Sequence, residues 1–390
     1  MTRPLRILFA IGDMTGGGSQ RQLVGILQRL DRGRFVPHLY LVTPGGELLP
    51  ELPRDVPVYV FGERWEQPAW RFPGQAHWAR IRDFSAVLRH EQIDLVYDRT
   101  YHMTLTTAGA VRHPVSRVSV IVTDPRLDFE TNVERYRWFK RRLLRRAYHT
   151  ADRVLAVSEG VRTAAIDYYS LPPAKIETHY NAFDIGPIDR RMHEPLPPGE
   201  QRTPLRFEIT SAGRLHPQKG FAYLIEAIRI LVHERKRQQV HLRILGAGPL
   251  EAELRATVAR QGLEQHVTLA GFRANPLPYF RQADLFCLSS LYEGMPNALV
   301  EAMLCRTPVL ATDCKSGPRE ILDAGRFGRL VPPADARLLA DAIEDALLNP
   351  ETWRSRIEPA RDHIEQTFSP AAAMEPLQNL FESLVPKREA

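Results

Sequence analysis

Twice along the chain, short runs of apolar and β-branched residues alternate with stretches of helical periodicity, and one proline-rich break separates the two series. The runs at 5–11, 38–43, 56–61, 94–97, 115–122 and 153–157 read as strands. Between them, 19–30, 75–91 and 104–111 have helical spacing, as with Leu23, Ile26, Leu27 and Leu30 on one face. The strand runs are apolar throughout. Strands of that kind are buried on both sides, which means a parallel sheet with helices over each face. After the break the pattern restarts, with strands at 207–212, 240–245, 267–270, 285–289, 308–312 and 330–331. Helices are expected at 220–234, 249–261, 275–282, 296–305, 336–348, 351–367 and 370–385, with a short element at 319–322. The break, DIGPIDRRMHEPLPPGEQRTP at 184–204, holds five prolines and two glycines without periodicity and reads as an inter-domain linker. The expected fold class is therefore α/β: two Rossmann-like, doubly wound parallel-sheet domains facing a central cleft. Ligands of such sheets bind outside the carboxyl ends of the strands.

A chain of 390 residues with 44% hydrophobic and 25% charged content suits two soluble domains. No run approaches the roughly 18 apolar residues that a membrane span needs. The first apolar run is too short for a signal peptide. Cys287, Cys305 and Cys314 are too few and too scattered for a disulfide framework or a CxxC metal site, and fit a reducing cytoplasm. The net charge of +6 concentrates at 135–153, RYRWFKRRLLRRAYHTADR. There Arg135, Arg137, Lys140, Arg141, Arg142, Arg145 and Arg146 interleave with Tyr136, Trp138, Phe139, Leu143, Leu144 and Tyr148. This is a basic amphipathic helix. It reads either as a solvated helix packed on its own domain or as a contact, through Arg141, Arg142, Arg145 and Arg146, with an anionic membrane surface. Nucleic acid is not expected, since no aromatic and basic strand platform accompanies it.

The chemistry is expected on three strand-to-helix loops of the second half. SAGRLHPQKG at 211–220 places Arg214 and Lys219 before a helix, and two cations beside backbone N–H groups make an anion site suited to a diphosphate. ILGAGPLEAEL at 244–254 puts Gly246 and Gly248 where the backbone must come close to something, or simply at a tight turn. LYEGMPNALVEAM at 291–303 sets Glu293 on a loop and Glu301 about two helical turns on, with Pro296 suited to the first helical position. Together with the amides around Gly294–Asn297, these match the shape of a nucleotide sugar: cations and amides for phosphates, carboxylates for hydroxyls. The plainer reading is an acidic helix start that complements the helix dipole.

GRLHPQKG, EGMPNALVEAM and TDCKSGPREIL, in this order and spacing, resemble the retaining glycosyltransferases of family 4, which have the GT-B fold. The resemblance covers essentially the whole chain, with Glu293 and Glu301 as the E-x7-E pair. It implies a first, acceptor-binding domain at 1–183, the linker at 184–204, a donor-binding domain at 205–367 and a closing helix at 368–390 that crosses back to the first domain. Arg214 and Lys219 would bind the donor diphosphate, Glu301 the ribose, and Glu293 with Gly294, Met295, Pro296 and Asn297 the transferred sugar. Gly271, Phe272 and Arg273 resemble the nucleobase pocket, and Leu299 and Gly246 fall in the same donor set. In the first half, GDMTGGGSQRQL at 12–23 matches the family's Gly-rich first loop, with Gly17 and Gly18 near the diphosphate or acceptor. Two departures stand out. Ser19-Gln20 replaces the frequent Ala-Glu, and Thr123-Asp124 stands where a His often follows a strand. His102 is a candidate to substitute for that His, and Asp124 is a second; each reads otherwise as a loop hydrogen-bonding residue.

The implied reaction moves a hexose or N-acetylhexosamine from a UDP- or GDP-sugar to a lipid-linked or polysaccharide acceptor, with retention, in envelope glycan synthesis. SGPRE at 316–320 resembles a variant found with N-acetylhexosamine and galactose-type donors. No cofactor or metal is expected, because the cations face the diphosphate and no Asp-x-Asp appears. The expected location is the cytoplasm, peripheral on the inner face of the membrane. The alternatives are a non-hydrolysing UDP-sugar epimerase of the same architecture and a non-catalytic nucleotide-sugar-binding scaffold on the membrane.

Overall fold

The computed structural model describes residues 3–65, 74–112, 114–132, 136–203 and 205–385. Arg135 of the basic helix and Pro204 of the expected linker lie outside them. The chain forms two compact units. One holds the residues up to Ala182 together with those from Pro370 onward, and the other holds Phe183–Ser369.

The first unit is built on β1 (Leu5–Ile11), β2 (Phe35–Leu41), β3 (Val58–Val60), β4 (Leu95–Arg99), β5 (Ser116–Ile121), β6 (Arg153–Ala156) and β7 (Ile176–Thr178). All pair parallel, in the order β3-β2-β1-β4-β5-β6-β7. β1 shows why the runs are apolar throughout. Leu8 and Ala10 face one cluster with Tyr40, Phe84, Val96 and Met103. Phe9 meets Tyr97 at 5.4 Å between ring centroids and, at 6.3 Å, Phe381 of the helix Pro370–Leu384. That helix is pinned further by Arg34, which reaches Glu375, Asn379 and Glu382.

The second unit is built on β8 (Phe207–Ala212), β9 (Val240–Leu245), β10 (Val267–Gly271), β11 (Leu285–Leu288), β12 (Val309–Thr312) and β13 (Arg329–Val331). Its parallel order is β10-β9-β8-β11-β12-β13. Ile209, Leu242, Ile244, Leu285 and Leu310 pack on Leu224, Ile228, Leu339 and Ile343 from two helices. Cys287, Cys305 and Cys314 are free and buried.

Several elements differ from expectation. The helix Glu159–Tyr169, capped by Ser158 Oγ accepting from the Val161 amide at 3.2 Å, was not anticipated, nor was β7. The stretch read as a bare linker carries the helix Ile185–Arg191, and Pro187 in its first turn needs no hydrogen-bonded N–H. The expected helix at 220–234 is α-helical over Phe221–Arg229 and finishes as a π turn, Ile230–Glu234. The stretch 351–367 divides into Pro350–Arg354 and Ile357–Thr367.

Candidate active site

In a doubly wound sheet, the loops of two adjacent strands leave in opposite directions where the strand order reverses, and a crevice opens between them. In the second unit that point lies between β8 and β11. The loop after β8 is anchored by buried Leu215, whose amide bonds to Ala247 O at 2.9 Å. Arg214 beside it is exposed and makes no ion pair among the described residues. His216 Nδ1 accepts from the Gln218 amide and starts the 3₁₀ turn Pro217–Lys219. Burial first, then the Arg214 and Lys219 cations, hold the His216 imidazole below its ordinary range, so the loop presents positive charge without a third proton.

The loop after β11 is knitted to this turn. Leu291 N donates to Gln218 O at 2.7 Å, Gln218 Nε2 to Tyr292 O at 3.0 Å, and Ser289 Oγ to Lys219 O at 2.9 Å. Gly220 must be glycine here. Its φ is +61°, and a Cβ would lie 2.2 Å from Ser289 O. The outcome is an ion pair that crosses the crevice: Lys219 Nζ stands 2.5 Å from Glu293 Oε1, and Ser290 Oγ donates to the same oxygen at 2.6 Å. Glu293 is only 5% exposed. Two residues assigned on sequence to separate parts of a ligand are thus partners of each other. Ser290, three residues before Glu293, is the polar contact that the sequence reading passed over.

The remaining donor-set residues divide. The helix Asn297–Leu304 begins one residue later than expected, with Pro296 in extended conformation as its N-cap. The side chain of Leu299 is fully buried and its amide bonds to Pro296 O at 3.1 Å. Gly294, Met295 and Pro296 are buried, while Asn297 and Glu301 are half-buried. Gly246 does serve a close approach, but to its own unit: a Cβ there would fall 1.9 Å from Gly213 O. Phe272 is exposed at the end of β10 beside Gly271. Arg273 is committed to Glu200 at 2.7 Å and to Tyr279 Oη at 2.8 Å. Burial opposes ionisation of Glu200, but the bonds from Tyr279 and Arg273 outweigh it and keep its carboxyl below the usual range. The end of the expected linker is therefore docked on the second unit.

In the first unit the strand order reverses between β1 and β4. After β1, Asp13 Oδ1 accepts from the Thr15 amide, Thr15 Oγ1 and Gln20 Nε2 at 3.0, 2.6 and 2.9 Å. Burial raises the Asp13 carboxyl's proton affinity, and these donors more than offset it. Gln20 thus has a local reason: a Glu at that position would set a second carboxylate against Asp13. Gly17 is the N-cap and Gly18 the first residue of the helix Gly18–Arg29. After β4, His102 lies exposed on the first turn of the helix Tyr101–Ala110. Partial desolvation first, then Arg80 and Lys140, push its imidazole well below the ordinary range. Asp124 is buried and caps the helix Pro125–Asn132, accepting from Arg126 N at 2.9 Å and Leu127 N at 3.3 Å. Its side chain is spent on the loop.

The basic helix runs Arg137–Thr150, with Leu144, Ala147 and Tyr148 buried. Arg142, Arg145 and Arg146 are exposed. Arg141 is turned to its own unit: it donates to Tyr168 O at 2.8 Å and lies over the Tyr168 ring at 4.3 Å. Arg141 is nonetheless exposed like its three neighbours.

Two family models match in tandem, Glycosyltransferase Family 4 over residues 16–186 and Glycosyl transferases group 1 over residues 206–349. The chain belongs to glycosyltransferase family 4. A relative from Campylobacter jejuni, named N-acetylgalactosamine-N,N'-diacetylbacillosaminyl-diphospho-undecaprenol 4-alpha-N-acetylgalactosaminyltransferase, is 36% identical over 184 residues, 47% of each chain. A putative colanic acid biosynthesis glycosyltransferase WcaL from Salmonella typhimurium is 34% identical over 224 residues, 55% of this chain and 52% of that one. The chain spans about half the length of the curated relatives it matches. Anabaena Alr3699/HepE, solved in complex with UDP, superposes with a TM-score of 0.77 at 22% identity, over 97% of this chain and all of that one. That likeness gives the fold, GT-B. No helix among the described residues is long and apolar enough to cross a membrane.

Proposed function

We propose that this family 4 chain transfers a hexose or N-acetylhexosamine, with retention, from a UDP-sugar to a lipid-linked or polysaccharide acceptor in envelope glycan synthesis. The observation that carries the reading is the Lys219–Glu293–Ser290 constellation at the switch point of the second sheet, with Arg214 free beside it. Arg214 and Lys219 stabilise the departing diphosphate, which is electrostatic work in a crevice of low dielectric. They replace a metal in that role. Lys219 holds Glu293 through Oε1, and the carboxylate's second oxygen accepts from a sugar hydroxyl. Glu301 takes the ribose hydroxyls and Phe272 offers a face for the base. No side chain in these loops is placed as a covalent nucleophile. The acceptor hydroxyl attacks on the face the diphosphate leaves, and the leaving phosphate takes its proton. His102, kept neutral, hydrogen-bonds the acceptor or the transferred sugar.

The reading places the protein in the cytoplasm, on an anionic inner membrane face reached through Arg142, Arg145 and Arg146. The names of relatives that act on diphospho-undecaprenol or in colanic acid synthesis support the acceptor class. The test is a panel of UDP- and GDP-sugars with release of free nucleotide as the readout. UDP released from one UDP-sugar, and lost in Arg214→Ala, is the expected result. Epimerised sugar nucleotide would point to an epimerase. Tight binding with no turnover, even with membrane extract present, would leave a scaffold.

A further inference from the structure

The outer face of the helix Arg137–Thr150 carries more than charge. Opposite its buried stripe stand Trp138, 71% exposed, and Phe139, 50% exposed, with Leu143 a turn further on and Tyr136 just before. Four of the ten large exposed hydrophobics among the described residues fall within these eight positions. Scattered apolar side chains are normal on a soluble surface; a cluster is a contact site. Phe139 and Leu143 also share one open groove with Arg142, Arg145, Arg146 and His149. The three arginines hold no carboxylate among the described residues.

Water alone accounts for the arginines and not for Trp138 and Phe139. A phosphate backbone of nucleic acid would meet the cations and leave the apolar groups facing solvent. A bilayer interface takes both: aromatic and aliphatic side chains enter the headgroup–acyl boundary while guanidinium groups meet lipid phosphates. The same helix packs against the helix Tyr101–Ala110 that carries His102.

We infer that this helix seats in an anionic bilayer by insertion of Trp138, Phe139 and Leu143, with Arg142, Arg145 and Arg146 at the phosphate plane and Arg141 held by Tyr168. Through its packing on the helix Tyr101–Ala110 it thereby holds the His102 corner of the first unit at the membrane surface. The inference deepens the proposed membrane contact and rests on it. The electrostatic reading needs the charges alone, and this one needs the apolar side chains as well.

The test uses the full chain with vesicles of phosphatidylcholine, alone or with phosphatidylglycerol. Co-sedimentation with the anionic vesicles and a blue shift of tryptophan emission on binding are expected. Trp138→Phe should bind equally and lose the shift. A Trp138→Ser/Phe139→Ser/Leu143→Ser variant should bind at least tenfold more weakly with its charge intact. Arg142→Glu/Arg145→Glu/Arg146→Glu should lose the preference for anionic vesicles. Wild-type binding by the triple serine variant, or an unshifted Trp138 in vesicle-bound protein, overturns the insertion. So does capture by DNA or self-association in place of vesicle binding. UDP release from a UDP-sugar, measured without vesicles, should be equal in wild type and the triple serine variant. Its loss in every form would sink the transferase reading and leave the vesicle result standing.

Discussion

At the carboxyl edge of the second sheet, the loop side chains are largely spoken for. Lys219 meets Glu293, Ser290 meets Glu293, and the backbones of 218–220 and 289–292 are stitched together. At the same edge of the first sheet, Asp13 and Asp124 are spent on their own loops. His102, Arg142, Arg145, Arg146, Trp138 and Phe139 look outward. A rigid constellation suits a ligand whose diphosphate and sugar vary little. An open rim of cations and aromatics suits a surface or a larger acceptor. On the proposed reading, preorganisation is concentrated where charge would develop in the reaction.

The comparison is broken most severely at Lys219. Lys219→Ala leaves Glu293 buried without its cation. A loss of about 3 to 5 kcal/mol in stability is expected, and donor turnover should fall by about a thousandfold. Chemical denaturation of Lys219→Ala against Lys219→Ala/Glu293→Gln gives the coupling, and a double variant no more stable than the single one would refute a structural ion pair. Gly220→Ala comes next. The left-handed φ and the Ser289 carbonyl together should cost about 2 to 3 kcal/mol, read as a lowered thermal midpoint.

Arg214→Gln sharpens the contrast from the other side. Exposed and without an ion pair among the described residues, it should leave stability within about 0.5 kcal/mol of wild type. Donor affinity should drop by roughly ten- to a hundredfold, since a charged hydrogen bond is worth about 1.5 to 3 kcal/mol. The first unit should respond to acid through His179, which burial and then Arg99 push down to about 4. With the folded value below the ordinary 6.5, the unfolded chain takes up the proton first. Stability is therefore complete above about pH 6.5 and is lost as pH falls toward 4. His179→Gln should flatten that slope by about 1 to 2 kcal/mol in denaturation curves at pH 7 and pH 4.5. Gln20→Glu should be the mildest, costing about 0.5 to 1 kcal/mol by repulsion with Asp13, with most of it recovered at high salt.

Much of this fold was legible because it rests on local pattern. Uniformly apolar runs gave twelve of the thirteen strands near their places and β7 was missed altogether; the expected run at 56–61 contains all of β3, and the one at 38–43 starts three residues after β2 does. The helix Glu159–Tyr169 was legible too, with Val161, Ala165, Tyr168 and Tyr169 at helical spacing, but it follows a strand so closely that it was passed over. Ile185–Arg191 was hidden by reading Gly186 and Pro187 as breakers, when Pro in a first turn breaks nothing. At the site, residue types and loops could be read from sequence and pairings could not. Lys219 and Glu293 are 74 residues apart, and only the adjacency of β8 and β11 brings them together. Arg141 looks like its neighbours in sequence, and what sets it apart is its bond to Tyr168 on another helix.

The helix Pro370–Leu384 has a bearing on how the molecule is made. Phe381 closes an aromatic cluster with Phe9, Phe35 and Tyr97, yet it follows the whole of the second unit along the chain. The first unit thus spends the whole synthesis of the second with that cluster open. Completion of the earlier half waits on a segment made after the second unit, and a nascent chain cut short at Ser369 would carry a finished second unit together with a first unit still showing its aromatic seam.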